Sequence, residues 1–288
     1  MTQRTVGVLG GSGLYAMPGL TEIEEIAVST PFGDPSDLIV SGVLDGVRLL
    51  FIPRHGRGHR FTPSEVPYRA NIWALKSLGA DWCISVSAVG SLRRKVHPGH
   101  VVIVDQFIDR TKGVRASSFF GEGIVGHVAF GDPVSPVLAD VLARAAKAAG
   151  ATVHVGGTYV CMEGPQFSTR AESKLYRSWG ARVVGITNLP EAKLAREAEI
   201  AYATLALVTD FDCWHPDHDS VTVEAVIATL NANVTLAQEI VARAVALVPE
   251  ALDPLVDGAA RHAVMTAPDR IPEHRRAALR PLLGKYWG

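Results

Sequence analysis

Leu38-Ile39-Val40 and Val47-Arg48-Leu49-Leu50-Phe51-Ile52, separated by a turn at Asp45-Gly46, decide what kind of sheet this chain builds. Two apolar runs on either side of Asp-Gly read as a β-hairpin, since those two residues tolerate the left-handed backbone of a tight reversal. The hairpin settles how the segment before it is read. Thr5 to Leu9 has the pattern of a buried strand, and the loop after it contains Gly11-Ser12-Gly13-Leu14-Tyr15-Ala16, the G-x-G-x-x-A form of the dinucleotide fingerprint. That fingerprint needs a strand, helix and parallel strand in succession, and a hairpin stands where they belong. The glycines of Gly10-Gly11-Ser12-Gly13 then serve to let backbone amides approach an anion, with Ser12 adding a hydroxyl.

Beyond the hairpin, helical and strand patterns alternate. Helices are expected over 68–78, 137–149, 191–199 and 223–247, with another opened by the capping box Thr169-Arg170-Ala171-Glu172. Strands are expected over 82–86, 101–104, 153–162, 182–186 and 201–208. Together with the hairpin this predicts an α/β fold with a central mixed twisted sheet flanked by helices. No internal repeat, linker or low-complexity segment interrupts it, so residues 1–288 are read as one domain with a C-terminal helical tail from about 249. In the tail, Arg275, Arg276, Arg280 and Lys285 stand among alanines and leucines, as in an exposed helix that packs one face.

Composition narrows the function. A net charge of -1 over 288 residues gives no general attraction to nucleic acid or to an anionic membrane, so any anion affinity must be local. Cys83, Cys161 and Cys213 are an odd number without metal-type spacing, and the first two lie in apolar runs, which fits a reducing cytoplasm. The start Met-Thr-Gln-Arg-Thr lacks a signal peptide's apolar stretch, and no apolar run reaches a membrane span of about 18 residues. A soluble cytoplasmic protein is expected.

Four strand ends carry chemistry. Asp210 and Asp212, in Thr209-Asp210-Phe211-Asp212-Cys213-Trp214, follow the apolar run 201–208. Ligands of open α/β sheets gather at the carboxyl ends of strands. An acid pair there accepts hydrogen bonds from an amino group and, with one member protonated, delivers a proton to a nitrogen base. The plainer reading is a helix cap or turn. In Pro53-Arg54-His55-Gly56-Arg57-Gly58-His59, Arg54 and Arg57 can fork onto a phosphate while His55 donates another hydrogen bond. A metal on His55 and His59 is disfavoured, because their i, i+4 spacing needs a helix that Gly56 and Gly58 oppose. Ser85, Ser87, Ala88, Gly90 and Ser91 follow the strand at 82–86, and Thr187 follows the one ending at Ile186. Each alone reads as a turn cap, but their recurrence at strand ends suits one small anion.

These residues carry a resemblance. Gly10-Gly11-Ser12-Gly13-Leu14, Arg54-His55-Gly56-Arg57-Gly58-His59, Asn71-Ile72-Trp73-Ala74-Leu75, Ser87-Ala88-Val89-Gly90-Ser91-Leu92, Asp105-Gln106-Phe107-Ile108-Asp109, the segment from Glu163-Gly164-Pro165-Gln166-Phe167-Ser168 to Glu172, Pro190-Glu191 and the Asp210 segment occur in one order from about Val6 to Leu236. In this the chain resembles the 5'-methylthioadenosine phosphorylase family of the trimeric purine nucleoside phosphorylase group, and the resemblance implies that fold. It implies phosphorolysis of 5'-methylthioadenosine to adenine and 5-methylthioribose 1-phosphate, a step of purine and methionine salvage, with inorganic phosphate as co-substrate and no metal or organic cofactor. It also implies a homo-oligomer, trimer or hexamer.

By the same resemblance, phosphate binds at Ser12, Arg54, His55, Ser87, the backbone of Ala88, and Thr187. Phe167 packs on the purine, and Asp210 and Asp212 read its edge. Either acid of the pair could protonate N7; Asp210, at the strand end, is taken for that role and Asp212 for holding the 6-amino group. Val223 and Val226 line the 5' pocket, and His127 is lent to it by a neighbouring subunit. Ile186 stands against the ribose where the family usually has Met. Relatives acting on 6-oxo purines carry Asn in the acid region and Glu after the stacking Phe; here both acids are present and Ser168 follows Phe167. A carboxylate accepts from a 6-amino group and repels a carbonyl, so a 6-amino purine is favoured over methylthioinosine or another 6-oxopurine nucleoside. A nucleoside hydrolase and a non-catalytic nucleotide-binding module are the competing functions, the first set apart by turnover without phosphate and the second by binding without turnover.

Overall fold

The computed structural model describes residues 4–11, 13–216 and 223–287, without the side chains of 223–228 and 230–232. Ser12 and the side chains of Val223 and Val226 therefore lie outside the described residues. In chain order the elements are β1 (Thr5–Gly10), β2 (Thr21–Ile26), β3 (Ile39–Leu44), β4 (Val47–Pro53), α1 (Tyr68–Ser77), β5 (Trp82–Ser91), β6 (Val101–Ile103), β7 (Gln106–Arg110), α2 (Pro136–Ala148), β8 (Val153–Val155), β9 (Thr158–Met162), α3 (Arg170–Ser178), β10 (Val183–Gly185), α4 (Asn188–Glu197), β11 (Ala201–Asp210), α5 (Val223–Leu247) and α6 (Glu273–Leu283).

The expected hairpin is β3 and β4, antiparallel with Leu44 opposite Val47. Its turn uses positive φ at Asp45 (49°) and Gly46 (76°), the conformation for which Asp-Gly is suited. β4 then pairs parallel with β1, and β1 parallel with β5. The sheet is mixed, in the order β2-β3-β4-β1-β5-β10-β9-β7, with β11 and then β6 and β8 continuing from β5.

β5 and β11 form the centre and are buried on both faces. Alternate side chains of β11 divide the core. Ala201, Ala203, Leu205 and Leu207 pack with Leu138 and Val141 of α2 and Ile240 of α5. Tyr202, Ala206 and Val208 pack on the other face with Ile72 and Leu75 of α1 and Leu194 of α4. An apolar run without alternation is what a doubly covered strand requires, and this is why 201–208 is legible as a strand.

The strand β5 is where the sheet forks. Its pairs with β1 stop at Ser85, and its antiparallel pairs with β10 begin at Gly90. Residues 86–89 thus have β11 on one side and no strand on the other. On the β11 side an extra residue, Thr209, sits between the pairs Val208–Val89 and Asp210–Gly90. Such a bulge re-aims the side chains that follow it.

Several expectations need correction. The strand at 82–86 runs on to Ser91, and 153–162 divides into β8 and β9 at Gly156 and Gly157, both with positive φ. Strands β2 and β7 carry no clear apolar alternation and are absent from the sequence reading; β2, Thr-Glu-Ile-Glu-Glu-Ile, is an exposed edge. The tail helix is more than a surface helix. Arg275 is buried and donates to Phe119 O at 2.7 Å, Leu279, Leu282 and Leu283 enter the core, and Trp73 Nε1 donates to Ala278 O.

Candidate active site

The fork beside 86–89 gathers the candidate anion site. Ser87 Oγ lies 3.4 Å from Thr187 Oγ1, and both residues are buried. Arg54 follows β4 and is placed by its own backbone, whose N–H donates to Gly10 O at 2.9 Å, so the ends of β1 and β4 meet there. Its guanidinium reaches Val86 O at 3.1 Å and Ser85 Oγ at 2.7 Å. Ala88 stands in the stretch with no strand on the fork side. Arg54, Ser87, Ala88 and Thr187 are thus brought together by β4, β5 and the turn after β10.

Arg54 is also committed below. It is paired with Glu191 through Nε and, at 3.1 Å, through its second terminal nitrogen, both side chains being almost fully buried. Burial opposes the charge, but the Glu191 carboxylate outweighs it and lifts the Arg54 pKa above its ordinary value. Glu191 Oε2 further accepts from Ser85 Oγ and Tyr202 Oη, each at 3.0 Å. This buried floor holds the cation in one place. Sequence reasoning gives Glu191 no role; the sole signal is an acid in a motif flanked by apolar residues.

The rest of the loop 54–59 departs from expectation. Arg57 does not fork onto the site; it is exposed and pairs with Glu25 and Asp37. His55 Nδ1 contacts Phe61 O at 2.9 Å, and since a carbonyl only accepts, Nδ1 carries the proton. Burial, with Arg54 nearby, lowers its pKa to about 4, so at neutral pH Nε2 is an acceptor rather than the donor expected. His59 stacks on His55 at 4.3 Å between centroids. Among the described residues no group of three or more His, Cys, Asp or Glu is placed to hold a metal ion.

The second half of the site is the acid loop. Asp210 Oδ1 accepts from the Asp212 N–H at 2.7 Å and Oδ2 from Thr209 Oγ1 at 2.6 Å. That turn holds Asp212 at a φ of 52°, a left-handed conformation that Asp tolerates better than most residues. Burial raises the pKa of both acids above the ordinary carboxylate value; hydroxyl and amide partners pull the other way. Asp212 Oδ2 is buried and makes no hydrogen bond of full geometry among the described residues, although the hydroxyls of Ser168 and Ser173 lie beside the carboxylate. Buried acceptors of this kind are rare, and one at a strand end is suited to a ligand N–H. Gly90 makes the approach possible: a Cβ there would sit 2.8 Å from Asp210 Oδ1 and 3.2 Å from Asp212 Cβ.

Phe167 is tied to the acids through its neighbour, since Cys213 Sγ donates to Ser168 O at 3.2 Å. The capping box forms as expected: Thr169 Oγ1 accepts from Glu172 N, and Glu172 Oε2 accepts from Thr169 N. Phe167 remains 39% exposed, which leaves ring surface for a planar partner. Ile186 packs against the loop before it, where a Cβ on Gly164 would meet Ile186 Cγ2 at 3.0 Å. From Ser87 to Gly90 is three residues, about 10 Å of strand, room for a sugar between an anion and a base.

His127 is not part of this constellation in the single chain. It is exposed, and its N–H donates to Ala263 O at 2.9 Å, beside a bridge between Gly126 and Val264. Val223 and Val226 fall in the first turns of α5, their side chains outside the described residues.

A mixed α/β sheet with buried serine, threonine and arginine at one strand end and an acid pair at the next defines a class, and residues 5–246 match the model described as the phosphorylase superfamily. The chain is 59% identical over 287 residues, all of both chains, to the S-methyl-5'-thioadenosine phosphorylase of Chloroflexus aurantiacus. To that of Geobacter sulfurreducens it is 56% identical, over 99% of each. The crystal structure of a methylthioadenosine phosphorylase from an antarctic soil metagenomic library aligns with a TM-score of 0.93 and 50% identity, covering 98% of this chain and 100% of that one. The methylthioadenosine phosphorylase of Schistosoma mansoni in complex with adenine gives 0.83 and 36%, over 90% and 99%. The chain belongs to the family of the S-methyl-5'-thioadenosine phosphorylases, as its eight motifs imply. Among the described residues no helix is long and apolar enough to cross a membrane.

Proposed function

We propose that this chain catalyses phosphorolysis of 5'-methylthioadenosine, releasing adenine and 5-methylthioribose 1-phosphate for purine and methionine salvage. The observation that carries the reading is the pairing of the Ser87–Thr187 hydroxyls with the two buried acids Asp210 and Asp212, one strand segment apart. Phosphate sits among Ser12, Arg54, Ser87, Ala88 N–H and Thr187. The neutral His55 accepts from the hydroxyl of monohydrogen phosphate, and Arg54 supplies positive charge. Phe167 stacks on the purine, Asp212 accepts from its 6-amino group, and Ile186, Val223 and Val226 contact the methylthioribose.

Adenine leaves poorly as an anion. Asp210 protonates N7 as the bond from N9 to C1' breaks, and its burial favours the protonated acid that this step requires. Phosphate attacks C1', and its charge stabilises the developing ribosyl cation. No metal or organic cofactor takes part; phosphate is the co-substrate. The chain acts as one phosphorylase domain, residues 1–288, in a cytoplasmic homo-oligomer, trimer or hexamer, with His127 completing a neighbour's 5' pocket.

The test is adenine release from 5'-methylthioadenosine with and without phosphate, beside a methylthioinosine control. Phosphate-dependent release with a weak control is expected. Release without phosphate identifies a hydrolase, a strong control a 6-oxopurine enzyme, and no release a binding module.

A further inference from the structure

Arg115 lies on the irregular connection between β7 and α2, far in sequence from the strand ends that build the site. Its side chain is 1% exposed, and it pairs at 2.9 Å with Glu163, whose side chain is 10% exposed. The guanidinium reaches two walls of the site at once. One terminal nitrogen donates to Ile186 O at 2.6 Å and Leu189 O at 2.8 Å, the carbonyls on either side of Thr187 and Asn188. The other donates to Glu163 O, at the base of the loop that ends in Phe167. Glu163 is itself fixed, accepting from Ser64 Oγ and the Lys112 N–H.

We propose that the Arg115–Glu163 pair is a positioning device that sets the distance between the purine platform at Phe167 and the sugar and phosphate wall at Ile186–Thr187. The inference rests on the proposed phosphorolysis. Its physical basis is that one planar fork makes directional bonds to both walls, so neither shifts without breaking a buried, charge-assisted contact. Lysine cannot reproduce this, because a single ammonium on a flexible stem does not span the Glu163 carboxylate and two carbonyls. Neither side chain is placed to touch a reacting atom. Their effect is therefore on orientation, and misplacement of reacting groups by about 1 Å costs on the order of 100-fold in rate.

The experiment compares the wild type with Arg115→Ala, Arg115→Lys and Glu163→Gln, each assayed well below its own melting temperature. Arg115→Ala is expected to lower kcat about 100-fold while the KM values for nucleoside and phosphate move less than about threefold. Guanidinium ion should restore about tenfold of that loss by occupying the space beside Glu163, and it should fail in the double variant Arg115→Ala, Glu163→Gln. A cavity of about 130 Å³ lined by Phe32, Tyr68, Val114 and Arg115 gives the ion a route. If Arg115→Ala does not fold, Arg115→Lys and Glu163→Gln decide, with a kcat loss of about tenfold expected in each. A lowered melting temperature with unchanged kcat in the folded variants overturns the inference, as does a loss confined to KM. A wild-type chain that releases no adenine overturns the proposed phosphorolysis and this inference with it.

Discussion

Asp210 and Asp212 are held differently although they stand two residues apart. Asp210 has both oxygens engaged by its own loop, and Asp212 has one, Oδ2, without a hydrogen bond of full geometry. Asp210→Asn should reduce turnover about 100-fold or more while phosphate affinity, measured by calorimetry, stays near wild type. Turnover within a few-fold of wild type would remove Asp210 from the acid role. These acids are legible in the sequence because they directly follow a long apolar run, as are Ser87 and Thr187. Glu191 and Arg115 are not. Arg54 and Glu191 are separated by 137 positions, and Arg115 reaches 71 positions to Ile186, so only folding makes them partners. His55 is legible as a residue of the site but not in its polarity, because burial and the Phe61 carbonyl, neither visible in a string of letters, decide which nitrogen holds the proton.

At the scale of elements, β5 is the most exacting. Gly90 needs no unusual backbone but leaves no room for a methyl, so Gly90→Ala should push the acid loop outward and lower adenine release at least about tenfold with a modest change in melting temperature. Unaltered release would mean that the acids tolerate displacement. The cap of α3 gives a contrasting outcome. Thr169→Ala removes the hydroxyl that accepts from Glu172 N and should cost about 1 kcal/mol in denaturant unfolding, with a smaller effect on catalysis. The buried strands, the hairpin and the capped helix are legible because apolar runs, Asp-Gly and Thr-x-x-Glu are local signals. β2 and β7 are not, since each is stabilised by its neighbour in the sheet rather than by its own pattern.

For the whole molecule, two groups, the part-buried His55 and the buried Glu197, tilt stability in opposite directions. Burial holds His55 near 4 against an ordinary 6.5, so the unfolded chain binds its proton more readily, and stability present above 6.5 is lost as pH falls toward 4. Burial raises Glu197 to about 7 from 4.5, so its contribution is whole below 4.5 and lost as pH rises through 7. Between 4.5 and 6.5 the two slopes oppose one another. Glu197→Gln removes one of them, and its melting temperature relative to wild type should climb as pH is raised from 4.5 to 7. A difference independent of pH would show that Glu197 does not titrate there. The fork in the sheet reaches further than the placing of ligands. A central strand of the protein has a stretch, 86–89, flanked on one side only. Its fork-facing amides should exchange with deuterated solvent as a sheet margin does, fast in phosphate-free buffer and slowly once phosphate is added, so that the middle of the molecule reports its own occupancy.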